Sequence, residues 1–456
     1  MNYSDYVNDH LDEMLEALKA LIRIPSVLKT FNPLDKKAPF GEPIAQALST
    51  MLAKGKDDGF ETRDVDGYAG HIEWGEGEEI LGILTHLDVV PAETKKWTRP
   101  PFQPAVEDGK IYGRGSMDDK GPTIAAYFAM KFLRDLGVIP SKRIRLIMGT
   151  DEETAWRGIE RYLNQETMPT AGFSPDAEFP VIHGEKGIFS FDLTGPYKEG
   201  PLKRFEAGER YNVVPGEAKA VLDIDLEEAF KLYIDANSLI GRVEGDTYIL
   251  EGKSAHAMSP EKGINAAYHL ATFLAKHIDT PYVSLIADVL AFDHLGKRLG
   301  IAVYDEALKN LSMNAAVFRY DKDGARVGIN CRFPNGFDET KAKEAVLSAV
   351  EPYGYTYAHK TTVPQHFVPE DDPLVDTLMA CYKEVTGDRS SKPFTIGGGT
   401  YARALDKGVA FGLVMPGRED VAHQVDEHIF IDDLVQATVI YMRAIERLTK
   451  DNLSLK

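Results

Sequence analysis

Seven acidic and imidazole side chains recur at the short spacings that metal ligands show, and nearly all lie where apolar runs end. They are His86, Asp88, Asp118, Glu152, Glu153, Asp176 and His423. Imidazoles and carboxylates gathered at strand ends are the groups that bind two zinc ions and activate a water in hydrolytic sites. A site of this kind requires the fold to bring distant parts of the chain together.

Two apolar runs predict buried strands that carry four of these side chains. Residues 80–84 (ILGIL) and 144–148 (IRLIM) are typical of strands covered on both faces of a sheet. His86 and Asp88 follow the first run, and the pair Glu152–Glu153 follows the second. Ligands of open α/β sheets bind beyond the carboxyl ends of the strands, which is where these residues fall.

Helical segments alternate with these strands. Apolar residues at helical spacing predict one helix that begins at Ser4 and ends before Pro25, and another over 123–136. A further buried strand is predicted over 409–414, ahead of His423. Strands that alternate with helices indicate an α/β domain with a mainly parallel central sheet.

The pattern changes near residue 180, where the predicted strands become half-buried. Residues 188–193 and 218–224 alternate between apolar and polar side chains, and 313–333 has the pattern of a hairpin. These features predict a large α+β domain with an antiparallel sheet. The catalytic domain is therefore expected to be discontinuous, with the domains at 1–180 plus 385–456 and at 181–384.

Each motif also has an ordinary structural explanation when it is taken alone. His86 and Asp88 could form a polar strand end, Asp118 could favour the start of a helix, and Glu152–Glu153 could be a solvated helix start. Taken together, the same residues could instead bind metal ions. Asp88 could hold the second ring N–H of His86, and the Asp118 carboxylate could bridge two cations with one oxygen each. Chance agreement of all these features is much rarer than any single false match.

Composition narrows the classes of partner. The formal net charge of -19 over 456 residues repels phosphate backbones and anionic lipid, so we expect neither nucleic acid nor membrane as a partner. Cys331 and Cys381 imply no disulfide framework or thiolate zinc site. We expect no signal peptide and no membrane span, hence a cytoplasmic protein.

Several longer motifs resemble the M20 family of dizinc metallopeptidases and deacylases. They are His86–Pro91 (HLDVVP), Gly113–Gly121 (GRGSMDDKG) and Asp151–Glu153 (DEE). The segments Ser174–Pro180 (SPDAEFP) and Gly397–Tyr401 (GGGTY) are similar to those of its PepV-type bacterial dipeptidases. The similarity extends from about residue 15 to the C-terminus.

The resemblance implies a role for each of the seven side chains. It places His86, Asp118 and Asp176 on one metal ion and Asp118, Glu153 and His423 on the other. It also implies a cis peptide bond between Asp118 and Asp119. Glu152 is implied as the general base, and Asp88 is implied to contact a metal ligand rather than a metal ion. The expected cofactor is two Zn²⁺ ions per chain, although carboxylate and imidazole ligands also accept Mn²⁺ or Co²⁺.

The inserted domain resembles the lid of this family. Within Gly252–Ala257 (GKSAHA), His256 is implied to contact the carbonyl oxygen that reacts. Asn212 and Arg332 match lid positions that hold substrate, and Arg332 suits a substrate carboxylate. Gly399 is expected to permit a close backbone approach to substrate. Because shorter members dimerise through a smaller lid, an enlarged lid implies a monomer.

The function that the resemblance implies is hydrolysis of dipeptides by a water that two metals activate. An alternative within the same family is an N-acyl amino acid deacylase that removes acetyl or succinyl groups. An alternative from another class is a binding or scaffold protein without turnover. The free Glu152 beside the ligand Glu153 argues against this last alternative, because a mere metal binder needs no spare base.

Overall fold

The structure is a computed structural model that describes residues 2–450 and 453–456. The α-helices of this part of the chain, α1 to α11 in order, are Tyr3–Asp9, Leu11–Ile22, Glu42–Asp57, Lys120–Asp135, Arg157–Gln165, Glu227–Ala236, Ala266–Leu274, Pro281–Leu285, Glu339–Val350, Pro373–Thr386 and Ile431–Leu448. The strands, β1 to β24, are Glu61–Val65, Ala69–Trp74, Ile80–His86, Ala105–Glu107, Lys110–Tyr112, Arg143–Gly149, Ala171–Ser174, Ala177–Glu178, Ile182–Glu185, Gly187–Gly195, Leu202–Ala207, Glu217–Leu222, Ile240–Glu244, Thr247–Glu251, Tyr304–Asp305, Lys309–Asn310, Ser312–Asp321, Gly324–Phe333, Thr356–Val363, His366–Phe367, Phe394–Ile396, Gly408–Ala410, Leu413–Val414 and His428–Phe430.

The chain forms two compact units. The first unit comprises the chain up to His183, Phe367–Phe394 and the residues from Thr400 onward. The second unit comprises Gly184–His366 and Thr395–Gly399. Helix α10 therefore belongs to the first unit, whereas the sequence-based boundary after residue 384 placed it in the inserted domain. Its apolar side chains, Leu374 and Leu378 among them, are buried in the core cluster that also contains α11.

A mixed sheet has most of its strands in the first unit. Its described strands run in the order β1-β2-β6-β3-β7-β22-β9-β20, with β21 also paired to β9. The pairs β6–β3, β3–β7 and β7–β22 are parallel. The pairs β1–β2, β2–β6 and β22–β9 are antiparallel. The expected parallel arrangement is thus limited to the middle of the sheet.

The central strands are buried on both faces, as their continuous apolar runs predict. In β3, Leu81 and Ile83 lie in one core cluster and Leu84 lies in another. Strand β6 divides in the same way, since Leu146 and Ile147 belong to different clusters. Successive side chains of a strand point to opposite faces, so an all-apolar strand requires cover on both sides.

Two predicted elements are interrupted. The N-terminal helix is divided at His10, whose ring Nδ1 contacts the carbonyl oxygen of Tyr6 at 2.8 Å and whose backbone leaves the helical region. The cap of α1 is Asn2 rather than Ser4, because the Asn2 side chain accepts the Ser4 N–H. The predicted strand over 409–414 is divided at Gly412, where φ is 78° and a Cβ would lie 2.2 Å from the Phe179 ring.

The second unit contains an antiparallel sheet, in agreement with its alternating sequence pattern. The order of its described strands is β13-β14-β12-β11-β17-β18-β10-β19. Phe189, Phe191 and Leu193 of β10 join the unit's apolar core. The alternate residues Ser190 and Asp192 are also buried, at 5% and 3% exposure, so both faces of this strand are covered.

Within the part of the chain that the structure describes, the helices are too short or too polar to span a membrane.

Candidate metal centre

Five short segments of the first unit supply the candidate ligands. His86 is the last residue of β3, and Asp118 lies two residues ahead of α4. Glu153 follows β6, and Asp176 lies between β7 and β8. His423 lies in the loop between β23 and β24. The carboxyl ends of parallel strands therefore position most of these side chains, as the sequence pattern predicts.

The five side chains form two groups that share Asp118. One group is His86, Asp118 and Asp176, and the other is Asp118, Glu153 and His423, with ligand atoms within 4.8 Å of one another in each. The Nε2 atom of His86 lies 2.9 Å from Oδ1 of Asp118. The Nε2 atom of His423 lies 2.9 Å from Oδ2 of Asp118 and 3.0 Å from Oε1 of Glu153. Asp118 thus presents one carboxylate oxygen to each group.

The facing atoms of His86 and Asp118 suit a cation. The Nδ1 atom of His86 lies 3.0 Å from the carbonyl oxygen of Asp88, which can only accept a hydrogen bond, so Nδ1 carries a proton. Among the described residues, buried Nε2 of His86 and buried Oδ1 of Asp118 have no hydrogen-bond partner. Buried polar atoms are rarely left without a partner. Two imidazoles and three carboxylates are ligands that Zn²⁺ accepts, so the residues fit a two-cation site.

The charges of the centre also favour cations. Burial raises the pKa of Asp176 to about 7, and the negative charge of Asp118 adds to this effect. Hydrogen bonds to Asp118 and Glu153 raise the pKa of His423 to about 10. In protein stripped of metal, a proton on His423 would therefore offset part of the negative charge.

We expect the metal-stripped protein to lose the contribution of the His423 ion pair as the pH rises. The folded chain raises the pKa of His423 from 6.5 to about 10, so the stabilisation is fully present below pH 6.5 and is lost as the pH rises through about 10. The melting temperatures of chelator-treated wild type and His423→Gln should therefore converge between about pH 6 and about pH 10. A difference that stays constant over this range would contradict the assignment.

Glu152 lies beside both groups and belongs to neither. Burial raises the pKa of its carboxyl well above its usual range, and Asp176, Asp118 and Glu153 add to the effect while His86 opposes it. A buried carboxyl with a raised pKa is a suitable proton acceptor and donor near neutral pH.

Asp88 positions the segment that carries Glu152. Its two carboxylate oxygens accept the backbone N–H groups of Glu152 and Glu153, each at 3.1 Å. The sequence alone predicts that the Asp88 carboxylate binds the ring N–H of His86, but its Oδ1 lies 3.6 Å from Nδ1, and the nearer partner of Nδ1 is the carbonyl oxygen of Asp88. The ring is therefore oriented by the main chain, and the carboxylate orients the two glutamates.

The turn before α4 contains the cis bond that the resemblance implies, between Asp118 and Asp119. Asp119 is fully buried, and its Oδ2 accepts the backbone N–H of His86 at 2.9 Å. Neither Asp119 nor Glu427 is predicted from the sequence to have a role of its own, although Asp119 stands directly beside Asp118 and Glu427 lies four residues beyond His423. The sequence signal for both residues is a further carboxylate within four positions of a candidate ligand.

The second unit brings together the residues predicted to hold substrate. The Nδ1 atom of His256 accepts the backbone N–H of Met258, and burial together with the charge of Arg332 lowers the pKa of the ring. The neutral ring therefore carries its proton on Nε2, where it can donate. Asn212 lies on a neighbouring loop, since its carbonyl oxygen accepts the N–H of Ala257 at 2.9 Å.

Arg332 is the buried cation of this region, with 5% exposure. Its Nε donates to Oδ1 of Asn330, and one terminal nitrogen lies 3.3 Å from the carbonyl oxygen of Gly397. The guanidinium is thus oriented between strand β18 and the glycine segment that includes Gly399. An oriented guanidinium can bind a carboxylate with two parallel hydrogen bonds.

Known proteins resemble this chain over nearly its full length. The model of peptidase family M20/M25/M40 matches residues 82–447. A protein named "Putative dipeptidase" from Staphylococcus epidermidis is 42% identical over 467 residues, which cover 98% of this chain and 99% of that protein.

Two solved structures share the fold. Human carnosine dipeptidase 1 matches with a TM-score of 0.60 and 16% identity over 98% of both chains. The dipeptidase Dug1p from Saccharomyces cerevisiae matches with a TM-score of 0.57 and 14% identity, also over 98% of both chains. The resemblance that the motifs suggested is therefore confirmed, and this chain belongs to peptidase family M20/M25/M40.

Proposed function

We propose that this protein is a two-metal dipeptidase in which Glu152 acts as the general base. The observation that carries the proposal is the division of the Asp118 carboxylate between two groups of ligand atoms. Metal-binding side chains arranged around a shared carboxylate are typical of two-metal hydrolytic sites. When bound, two divalent cations would polarise the substrate carbonyl and make a water acidic enough to be deprotonated near neutral pH.

The proton movements fall to Glu152. Its carboxylate accepts a proton from the water whose oxygen attacks the carbonyl carbon. The same carboxyl then donates that proton to the nitrogen of the leaving amine as the C–N bond breaks. The contacts of Asp88 with the backbone of residues 152 and 153 hold this carboxyl in place beside the ligands.

The second unit contributes the groups that recognise substrate in this proposal. The Nε2–H of His256 donates to the oxygen that becomes negative during attack, as oxyanion donors do. Arg332 binds the C-terminal carboxylate of the substrate, and Asn212 and Gly399 contact its backbone. A cation that requires a free carboxylate close to the scissile bond favours dipeptides over longer peptides.

A metal analysis combined with a substrate panel tests the proposed function. Purified protein should bind two divalent cations and hydrolyse dipeptides faster than tripeptides or N-acetyl and N-succinyl amino acids. Faster hydrolysis of the N-acyl amino acids would favour the deacylase alternative. Two bound cations without turnover of any member would favour a binding protein instead.

We expect Arg332→Met to raise KM for dipeptides by about 10- to 100-fold. A hydrogen bond to a charged group contributes about 1.5–3 kcal/mol, and each 1.4 kcal/mol is about tenfold in binding. Dipeptide amides, which lack the carboxylate, should be affected much less. Arg326→Met is the matched control, because Arg326 lies on the same strand with a side chain that is 41% exposed. An equal loss on acids and amides would count against carboxylate recognition.

A further inference from the structure

Glu427 has a fully buried carboxylate that is surrounded by backbone donors. Its oxygens accept the N–H groups of Gly115 at 3.0 and 3.1 Å, Met117 at 2.9 Å and Asp118 at 3.1 Å. Its exposure is 0%. The backbone of the turn that carries the shared ligand Asp118 is therefore folded around this one carboxylate.

Arg114 completes the arrangement and connects it to His423. One terminal nitrogen of Arg114 lies 2.5 Å from Oε2 of Glu427, and the other donates to the carbonyl oxygen of His423 at 3.3 Å. The guanidinium also lies over the Trp97 ring, 5.1 Å from its centre. The main chain adds a further bond, since the Gly113 N–H donates to the Glu427 carbonyl at 2.9 Å.

These contacts join the two segments that meet at the metal centre. Asp118 comes from the turn before α4, and His423 comes from a loop more than 300 residues later in the chain. The His423 side chain is 53% exposed and its φ is 63°, so little packing holds the ring and its position depends on the loop backbone. Arg114 and Glu427 fix that backbone against the turn of Asp118.

We propose that Glu427, together with Arg114, is a positioning residue that holds Asp118 and His423 at the separation needed to share a cation. The proposal rests on the two-metal site proposed above, and it adds the carboxylate that holds two of the ligand-bearing segments together. Glu427 acts through the ligands, since it lies in neither ligand group.

The affinity of the protein for Co²⁺ tests this role. Metal-stripped wild type and Glu427→Gln are titrated with Co²⁺, and both the heat of binding and the visible absorption of the bound ion are recorded. We expect Glu427→Gln to bind both ions about 10- to 100-fold more weakly, the usual cost of losing a group that orients metal ligands. The absorption band should also change, because it depends on ligand geometry.

Glu73→Gln is the matched control for a merely structural effect. Glu73 pairs with Arg145 in the same unit through a 2.6 Å contact, with side-chain exposures of 11% and 4%. Loss of either buried pair should lower the melting temperature, but Glu73→Gln should leave the affinity for Co²⁺ within about twofold, since Glu73 pairs with arginines of β6 and not with a candidate ligand. A Glu427→Gln protein that is destabilised like Glu73→Gln but binds Co²⁺ like wild type would overturn the proposal.

Arg114→Gln provides an independent test if Glu427→Gln does not fold. It keeps the backbone bonds of Glu427 and removes the contact with the His423 carbonyl. We expect one of the two Co²⁺ ions to bind about 10-fold more weakly, because only one ligand group contains His423. Unchanged affinity for both ions would overturn the role of the pair. Wild type that binds no cation would instead overturn the proposed function itself, and this inference with it.

Discussion

Replacement of Glu152 by glutamine is expected to lower kcat for dipeptide hydrolysis by about 10²- to 10⁴-fold, the range that general acid–base groups contribute. Glutamine keeps the shape of the side chain but can neither take the proton of the attacking water nor deliver one to the leaving amine. Because Glu152 belongs to neither ligand group, two cations should remain bound. KM should change little, since the lost interaction belongs to the transition state.

The measurement is steady-state kinetics together with metal analysis of the same preparation. Glu160→Gln is a suitable control, because Glu160 is an exposed carboxylate on helix α5, a few residues further along the chain. Its kcat should stay within about twofold of wild type, as expected for a surface substitution away from the site. Turnover of Glu152→Gln within about tenfold of wild type, with both cations present, would refute the base assignment.

Replacement of Asp118 by asparagine is expected to abolish both cation sites at once. Asp118 supplies an oxygen to each ligand group, whereas Asp176 belongs to one group only. Groups that merely orient ligands already cost about 10- to 100-fold in metal affinity, so the loss of a shared ligand should exceed about 100-fold for both ions. Activity should fall below detection.

Asp176→Asn distinguishes a shared ligand from an ordinary one. Calorimetric titration should show one weakened ion in Asp176→Asn and two in Asp118→Asn. Asp135→Asn, at the last residue of α4, should bind both ions like wild type because its carboxylate pairs with Lys131 at the surface. Two ions bound at wild-type affinity by Asp118→Asn would rule out the shared site, and with it the proposed chemistry.

Part of the site could be predicted because a single sequence shows where buried strands end and which polar side chains follow them. The runs at 80–84 and 144–148 are apolar without alternation, and the structure shows both strands divided between two core clusters. His86 and Glu153 consequently lie at and just beyond the ends of the neighbouring parallel strands β3 and β6. Periodicity and strand-end position were sufficient for these two residues, whereas Asp176 was expected at the site only from the family resemblance.

Contacts between distant segments of the chain could not be predicted in this way. The pattern of one strand does not reveal its neighbours, so the antiparallel pairs at both sides of the sheet could not be anticipated. For the same reason the Asp88 carboxylate was assigned to His86, although its partners are the backbone N–H groups of residues 152 and 153. The role of Glu427 could not be predicted, because the backbone N–H groups that its buried carboxylate accepts belong to a segment about 300 residues earlier in the chain.

Local interruptions were missed for a different reason. His10 has the spacing of a helical residue, but its ring contacts the backbone of Tyr6 and stacks on the Tyr6 ring with centroids 4.3 Å apart. Gly412 interrupts an apolar run because the Phe179 ring occupies the space that a side chain would need. Such departures depend on a single neighbouring group, and no periodicity reveals them.

The late strand β22 has a consequence for synthesis of the protein on the ribosome. It pairs with β7 on one side and β9 on the other. The middle of the first sheet therefore cannot be completed until residues 408–410 have left the ribosome. Until then a nascent chain exposes an unpaired strand edge, which is prone to aggregation. Translation that stops before this point yields a chain without His423, which we expect to be removed by quality control rather than to persist as a partial enzyme.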